Sequence, residues 1–320
     1  MSSFILKRFL SLVLTLAATS VIVFAVLEWL PGNAAQIILG ETATAESLQA
    51  MEQKLGLDQP ALARYTHWVG DWLQGQSGIS ISYDTPTLDL ILERLQVTLP
   101  LAVLAMALTV ALALSLGIYA AARQNRLGDL GVMTLSQLGL AIPNFWLAIL
   151  LILLFAVQLG WVGAGGFPGW TEEAGGGFWA GLQALILPAV ALAAVQAAIL
   201  TRVTRSSVLD ALREDFVRTA RAKGLSHRQV MWRHVLRNAM IPVVTVMGLQ
   251  FGNLITSAII VESVFVLPGL GRLIFQAIAN RDLIVVRDVV MFLAAVVIVI
   301  NFFIDVLYAL IDPRLKARHD

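Results

Sequence analysis

Apolar residues fall into six runs, at about 9–30, 97–122, 132–159, 181–201, 240–261 and 289–311, separated by polar segments of very unequal length. An α-helix rising about 1.5 Å per residue needs roughly 20 residues to cross about 30 Å of hydrocarbon, so each run predicts one membrane span. Pro143 and Pro188 fall inside the third and fourth runs and predict kinks, since neighbouring helices can satisfy the freed carbonyls. Lys7 and Arg8 precede the first run, which is broken only by Glu28 and exceeds the ~7–15 residues of a signal-peptide core. It predicts a retained first span, with cleavage after Ala34 or Ala35 as the lesser reading.

The polar segments carry their own periodicity. Leu48, Met51 and Leu55 share a helical face before Gly56, and Leu62, Tyr65, Val69 and Trp72 repeat at helical spacing between Pro60 and Gly75. Pro86 opens a third helix with a stripe of Leu88, Ile91, Leu92 and Leu95, expected to lie in the membrane interface before the second span. Segment 31–96 therefore reads as a small folded cap. The glycine-rich stretch 160–177, with Trp161, Trp170 and Trp179, fits a short outer loop with aromatic anchors.

Segment 209–242 predicts two short helices around a corner. Glu214 and Asp215 suit a helix start, Arg221 and Lys223 its end, and Gly224 a left-handed cap. Ser226 and Gln229 form a capping-box pattern, so a second helix is expected from His227 toward Asn238. Nine basic residues crowd this region: Arg202, Arg205, Arg213, Arg218, Arg221, Lys223, Arg228, Arg233 and Arg237. By charge alone, anionic membrane lipid is a sufficient partner for them.

Composition narrows the class. With 58% hydrophobic and 13% charged residues among 320, the chain is far more apolar than a soluble domain, where about a quarter of residues are charged. The expected fold is an all-α polytopic membrane protein of six transmembrane helices, with a small helical extracytoplasmic insertion between the first and second. The expected division is 1–30, 31–96 and 97–320, the last holding the loop 202–239. A net charge of +1 provides no global field for nucleic acid. Six spans place sixteen basic residues on one side and six on the other, which predicts both termini in the cytoplasm.

Several chemistries lack their residues. The chain has no cysteine, and none of Lys7, Lys54, Lys223 and Lys316 follows a glycine, so no phosphate-binding loop of the Gly-x4-Gly-Lys type is present. His67, His227, His234 and His319 all fall in predicted aqueous segments, which leaves no membrane-depth metal or protease constellation. Polar groups near mid-span are Gln196, Gln250, Asn253 and Ser257, the last three at i, i+3 and i+7 on one helical face. They read either as interhelical bonds or as the wall of a translocation path. Gly248 and Gly252 form a GxxxG in the same span, and Asn301, Asp305 and Tyr308 share a face of the last one. Asp305 is expected to make an ion pair with an arginine, a transport role being the lesser reading.

Arg218, Thr219, Ala220 and Gly224, with Leu236 downstream, resemble the EAA loop of ABC importer membrane subunits. Its pattern is Glu-Ala-Ala, three residues, Gly, nine residues, Ile-x-Leu-Pro. The longer string RTARAKGLS…RHVLRNAMIPVVT is similar to the dipeptide, oligopeptide and nickel branch, as are ESVFVLPGLGRLIFQAIANRD, the PGNAA at 31–35 and the Asp312, Pro313, Arg314 terminus. Arg218 departs from the pattern's Glu and Arg237 from its Pro, the nearest proline being Pro242.

The resemblance implies a permease subunit in a bacterial inner membrane, working with a homologous second permease, two cytoplasmic ATPase subunits that hold the ATP, and an extracytoplasmic substrate-binding protein. It implies no cofactor in this chain and no enzymatic site of its own. It also implies coupling through Glu214, Asp215, Arg218, Thr219, Ala220, Arg221, Lys223, Gly224 and Leu225, for peptides or related small solutes, metal chelates included. Two other classes stay open here: an ion-gradient-driven secondary transporter using Asp305 and Glu28, and a scaffold that recruits a partner through the basic loop.

Overall fold

The computed structural model describes residues 2–29, 35, 39, 44–54 and 56–311. Pro31, Gly32, Asn33 and Ala34, and the terminus with Asp312, Pro313, Arg314, Lys316, Arg318 and His319, lie outside the described residues. Among those described, every regular element is a helix, apart from one isolated bridge between Ile79 and Pro86. Among the described residues, five helices are long and apolar enough to cross a membrane, or six if one sharply bent pair counts as a span. The chain forms two compact units, Met1–Ile5, Thr98–Leu267 and Ile300–Asp320 making one, Leu6–Val97 and Pro268–Val299 the other.

In the larger unit, α5 (Leu127–Ala141), α6 (Asn144–Leu151) and α10 (Leu236–Val264) all pack on α7 (Phe178–Arg213). Small residues let them approach, with Ala189, Ala191, Ala193, Ala197 and Ala198 of α7 all buried. Gly117 shows how close the packing is: a Cβ there would stand 2.6 Å from the Thr204 Cβ and 2.9 Å from the Thr201 carbonyl oxygen. It lies on α4 (Thr87–Ala122), a helix that passes from one unit to the other, as does α12 (Leu283–Ile311).

The three prolines act differently. Pro188 lies inside the continuous α7 and Pro100 inside α4. At Pro143 the sequence predicts a kink, but α5 and the helix Asn144–Gln158 meet at 100°, so this run is not one straight helix. The physical reason is local. Ile142, before the proline, is pushed out of the helical region to ψ 120°, and Pro143 becomes the extended residue that starts the next helix.

The smaller unit contains most of α1 (Ser2–Trp29), then α2 (Ala45–Lys54), α3 (Ala61–Leu73), the start of α4, α11 (Leu270–Ala279) and the start of α12. Leu48 and Met51 lie on α2 and Leu62, Tyr65, Val69 and Trp72 on α3, as their spacing predicts, while Leu55 lies outside the described residues. The interfacial helix expected after Pro86 is not separate: α4 runs unbroken for 36 residues, because Pro86 stands before its first turn and the stripe continues into the apolar run. Leu90, Ile91, Leu270, Leu273, Ala277, Val285 and Val289 form the unit's buried core. Asp282 closes it, accepting from Ser80 Oγ at 2.7 Å and from the backbone amides of Ser82 and Val285 at 3.0 and 3.3 Å.

Candidate functional site

The basic loop is two helices with an ordered corner. α8 (Asp215–Ala222) begins after the extended Glu214, and Asp215 in its first turn meets Arg218 Nη1 at 3.2 Å, both well exposed to solvent. Thr219 Oγ1 donates back to the Asp215 carbonyl at 3.1 Å. Gly224 has φ +80°, a region an L side chain enters only under strain. Its amide donates to the Arg221 carbonyl at 2.9 Å and the Leu225 amide to the Ala220 carbonyl at 3.3 Å, the bond pair of a Schellman end.

The second helix starts with the expected capping box. Ser226 Oγ accepts from the Gln229 amide at 3.3 Å, and Gln229 Oε1 accepts from the Ser226 amide at 3.0 Å. This helix does not end at Asn238. α9 (His227–Val230), a π-helical turn at Met231–Val235 and α10 form one helical path, counted as a single candidate span from His227 to Val264. Pro242 lies inside it and ends nothing.

A buried base holds the corner. Val217, Ala220, Val230, Val235 and Leu236 pack with Val208 and Ala211 of α7, and Leu225 covers them. Arg218, Thr219, Arg221, Lys223 and Gly224 are exposed. Ala220 therefore supports the loop from inside, whereas the residues around it can meet a partner.

Besides Arg218, which meets Asp215, two more of the nine basic residues are engaged within the described residues. Arg202 Nη2 donates to Gln137 Oε1 at 2.6 Å, and Arg205 grips the buried Asp129 with Nε and Nη2. The sequence reading missed Asp129 and Gln137. The one signal for them was an acid in the first turn of a helix just after Arg126, on the side assigned to the basic loop.

The mid-span polar residues divide. Gln196 and Gln250 are brought together between α7 and α10, Gln250 Nε2 donating to the Gln196 carbonyl at 3.1 Å. Both are buried, and neither Oε1 has a hydrogen-bond partner within the chain. Asn253 is exposed and Ser257 half-buried, so the i, i+3, i+7 face is part packing seam and part open surface. Leu254 and Ile255, which the spacing sets off that face, are buried at 0% and 5% exposure, deeper than Asn253. In the smaller unit, Glu28 pairs with Arg64. Asp305 is half-buried on α12, and the Tyr308 side chain lies outside the described residues.

Long apolar helices, an exposed cationic corner on a packed base and two buried glutamines are the features of a helical membrane protein with a docking corner. Residues 113–317 match the family described as binding-protein-dependent transport system inner membrane component, and residues 1–113 match the N-terminal membrane-component family of the same systems. The chain belongs to this family and is a permease subunit of an ABC importer.

Among its relatives, the glutathione transport system permease protein GsiC of Escherichia coli (strain K12) is 41% identical over 318 residues, 99% of this chain and 100% of its own. A putative peptide transport system permease of Brucella abortus (strain 2308) is 39% identical over 316 residues, 99% of both chains. In fold, the chain is similar to a subunit of the inward-facing MetNI methionine ABC transporter. The TM-score is 0.57 at 17% identity, over 70% of this chain and 96% of that one.

Proposed function

We propose that this permease imports peptides or glutathione-like compounds, metal chelates being the wider class, and that the corner around Gly224 is where ATP-driven motion enters it. The observation that carries the reading is that Arg218, Thr219, Arg221 and Lys223 stand exposed on a closed apolar base. A rigid, solvated cationic corner suits docking in an ATPase groove better than diffuse attachment to lipid. The substrates named for the relatives supply the solute class.

In this reading the complex holds a second homologous permease, two ATPase subunits that bind and hydrolyse ATP, and a substrate-binding protein on the outer side. Both termini and the loop 202–239 face the cytoplasm of a bacterial inner membrane, and 31–96 forms an extracytoplasmic cap. The chain itself supplies no enzymatic site. Gln250, Asn253, Ser257 and Gln196 border the path, Gln250 and Gln196 as its packed wall. An ion-gradient mechanism loses one of its two carboxylates, because Glu28 is already paired with Arg64.

The test is uptake of a dipeptide and of glutathione into vesicles carrying the assembled complex. Uptake that needs ATP and the binding protein is expected. Uptake driven by a proton or sodium gradient without ATP would overturn the reading.

A further inference from the structure

The smaller unit holds a cavity of about 590 Å³ between the outer end of α1, α3 and the start of α12. That volume lies within the roughly 300–1,000 Å³ of small-molecule sites. Phe24, Trp68 and Trp72 form its aromatic side, with Phe24 and Trp68 stacked at 6.2 Å. Behind them sits Asp288, fully buried.

Asp288 organises the wall. It accepts from Trp68 Nε1 at 2.9 Å, Trp72 Nε1 at 3.2 Å, Thr87 Oγ1 at 2.5 Å and Arg287 Nε at 3.1 Å. Arg287 also lies over the Trp68 ring, its guanidinium carbon 4.8 Å from the centroid. Both indoles and the guanidinium are thus fixed before any ligand arrives. Only Nε of Arg287 is committed to Asp288, so its terminal amino groups remain as donors.

Arg64 is the second cation on the wall. Its Nη2 holds Glu28, and the side chain keeps 21% of its surface exposed, so Nη1 remains as a donor. The charge of the lining is not that of an anion site, however. Among the described lining residues, Glu28 pairs with Arg64 and the buried Asp288 with Arg287, so both cations are already balanced and the exposed Asp71 adds a negative charge. A simple anion would be repelled by that balance, whereas a molecule carrying both a carboxylate and an ammonium would match it.

We propose that this cavity binds a small peptide-type zwitterion, its carboxylate on Arg64 and Arg287 and its ammonium at the acidic rim with Asp71. An apolar side chain of the ligand rests on Phe24 and Trp72. The site shares no residue with the polar face of α10. That the ligand is a peptide rests on the function proposed above; the need for both charges rests on the cavity alone.

The test uses the purified full chain in discs of phosphatidylglycerol, a lipid with no ammonium group, and calorimetric titration with L-alanyl-L-alanine, its N-acetyl form and its C-terminal amide. The free dipeptide is expected to bind, and each blocked form to bind at least about tenfold more weakly. Arg64→Gln should weaken the free dipeptide by a similar factor and Arg64→Lys by less. Asp71→Asn, at an exposed position, should weaken the free dipeptide but not the N-acetyl form.

No binding to the wild-type chain, or blocked forms binding as well as the free one, overturns the proposal. Loss of dipeptide binding on changing to phosphatidylethanolamine discs overturns it too, by assigning the cavity to a lipid headgroup. Vesicle uptake by the assembled complex reads the transport function separately, so a failed titration beside successful uptake removes the cavity and leaves that function standing.

Discussion

Arg205 and Asp129 join α7 to the first turn of α5 by a two-pronged ion pair, Nε to Oδ1 at 2.6 Å and Nη2 to Oδ2 at 2.7 Å. The Asn125 amide donates to the same Oδ2 at 2.9 Å. The carboxylate thus has three donors from partners 4 and 76 residues away in sequence. Charge-assisted bidentate bonds of this kind are among the stronger polar contacts in proteins.

Asp129→Ala should therefore lower stability by about 2–3 kcal/mol, through the part-buried guanidinium it leaves unpaired. Thermal unfolding of the detergent-solubilised chain measures this. The exchange Asp129→Arg with Arg205→Asp should recover only part of the loss, because the Asn125 amide would then face a cation. Full recovery would show that the amide contributes nothing.

A Cβ at Gly248 would lie 2.5 Å from Ile304 Cγ1 and 2.7 Å from its Cδ1. Gly248→Ala should cost about 1–3 kcal/mol by overpacking, and adding Ile304→Ala should return part of it. Unfolding midpoints of the two single variants and the double variant form a cycle that measures the coupling. Additive effects would mean that α10 and α12 do not meet at these residues.

At Gly224 the space is open, with nothing within 4 Å of the place a Cβ would take, so the constraint is φ +80° alone. Asn tolerates that region and a β-branched residue does not. Gly224→Asn should keep substrate-stimulated ATP hydrolysis in the assembled complex, and Gly224→Val should lose most of it with the chain still inserted. Equal loss in both would show that a partner's bulk, not backbone strain, requires the glycine.

Cysteines on α10 should follow burial, not sequence spacing alone. Asn253→Cys should react readily with a water-soluble thiol reagent, Ser257→Cys more slowly, and Gln250→Cys as slowly as Leu254→Cys. Trapping ATP on the complex should change the rate at Asn253 if it borders the path. An unchanging rate at all positions would make this face packing surface only.

What could be read from the sequence follows the range of the interactions. The corner at Gly224 was legible in detail because a Schellman end and a capping box are written within a few residues. Helix identity in 45–54 and 61–73 was legible from spacing for the same reason. Asp129 and Arg205 were not, since nothing local marks one of nine basic residues as the partner of an acid 76 positions earlier. Pro143 shows a second limit: its residue type predicts an interruption, but the angle depends on what α5 and α6 pack against. Val266, at φ +56°, shows a third, because a β-branched residue gives no hint of a left-handed turn.

The unbroken path from His227 to Val264 is 38 residues long, about 57 Å at 1.5 Å per residue. Under the proposed coupling, such a rod would work as a lever with its short arm at the capped corner. A tilt of about 5° at His227 would sweep the far end through roughly 5 Å, more than the width of a water molecule. The π-turn at Met231–Val235 lies within two turns of the fulcrum, where a change of bond register alters the aim of everything beyond it. Under the proposed coupling, small movements at Gly224 would be magnified along the rod, and the five residues of that turn would set the direction in which they are delivered.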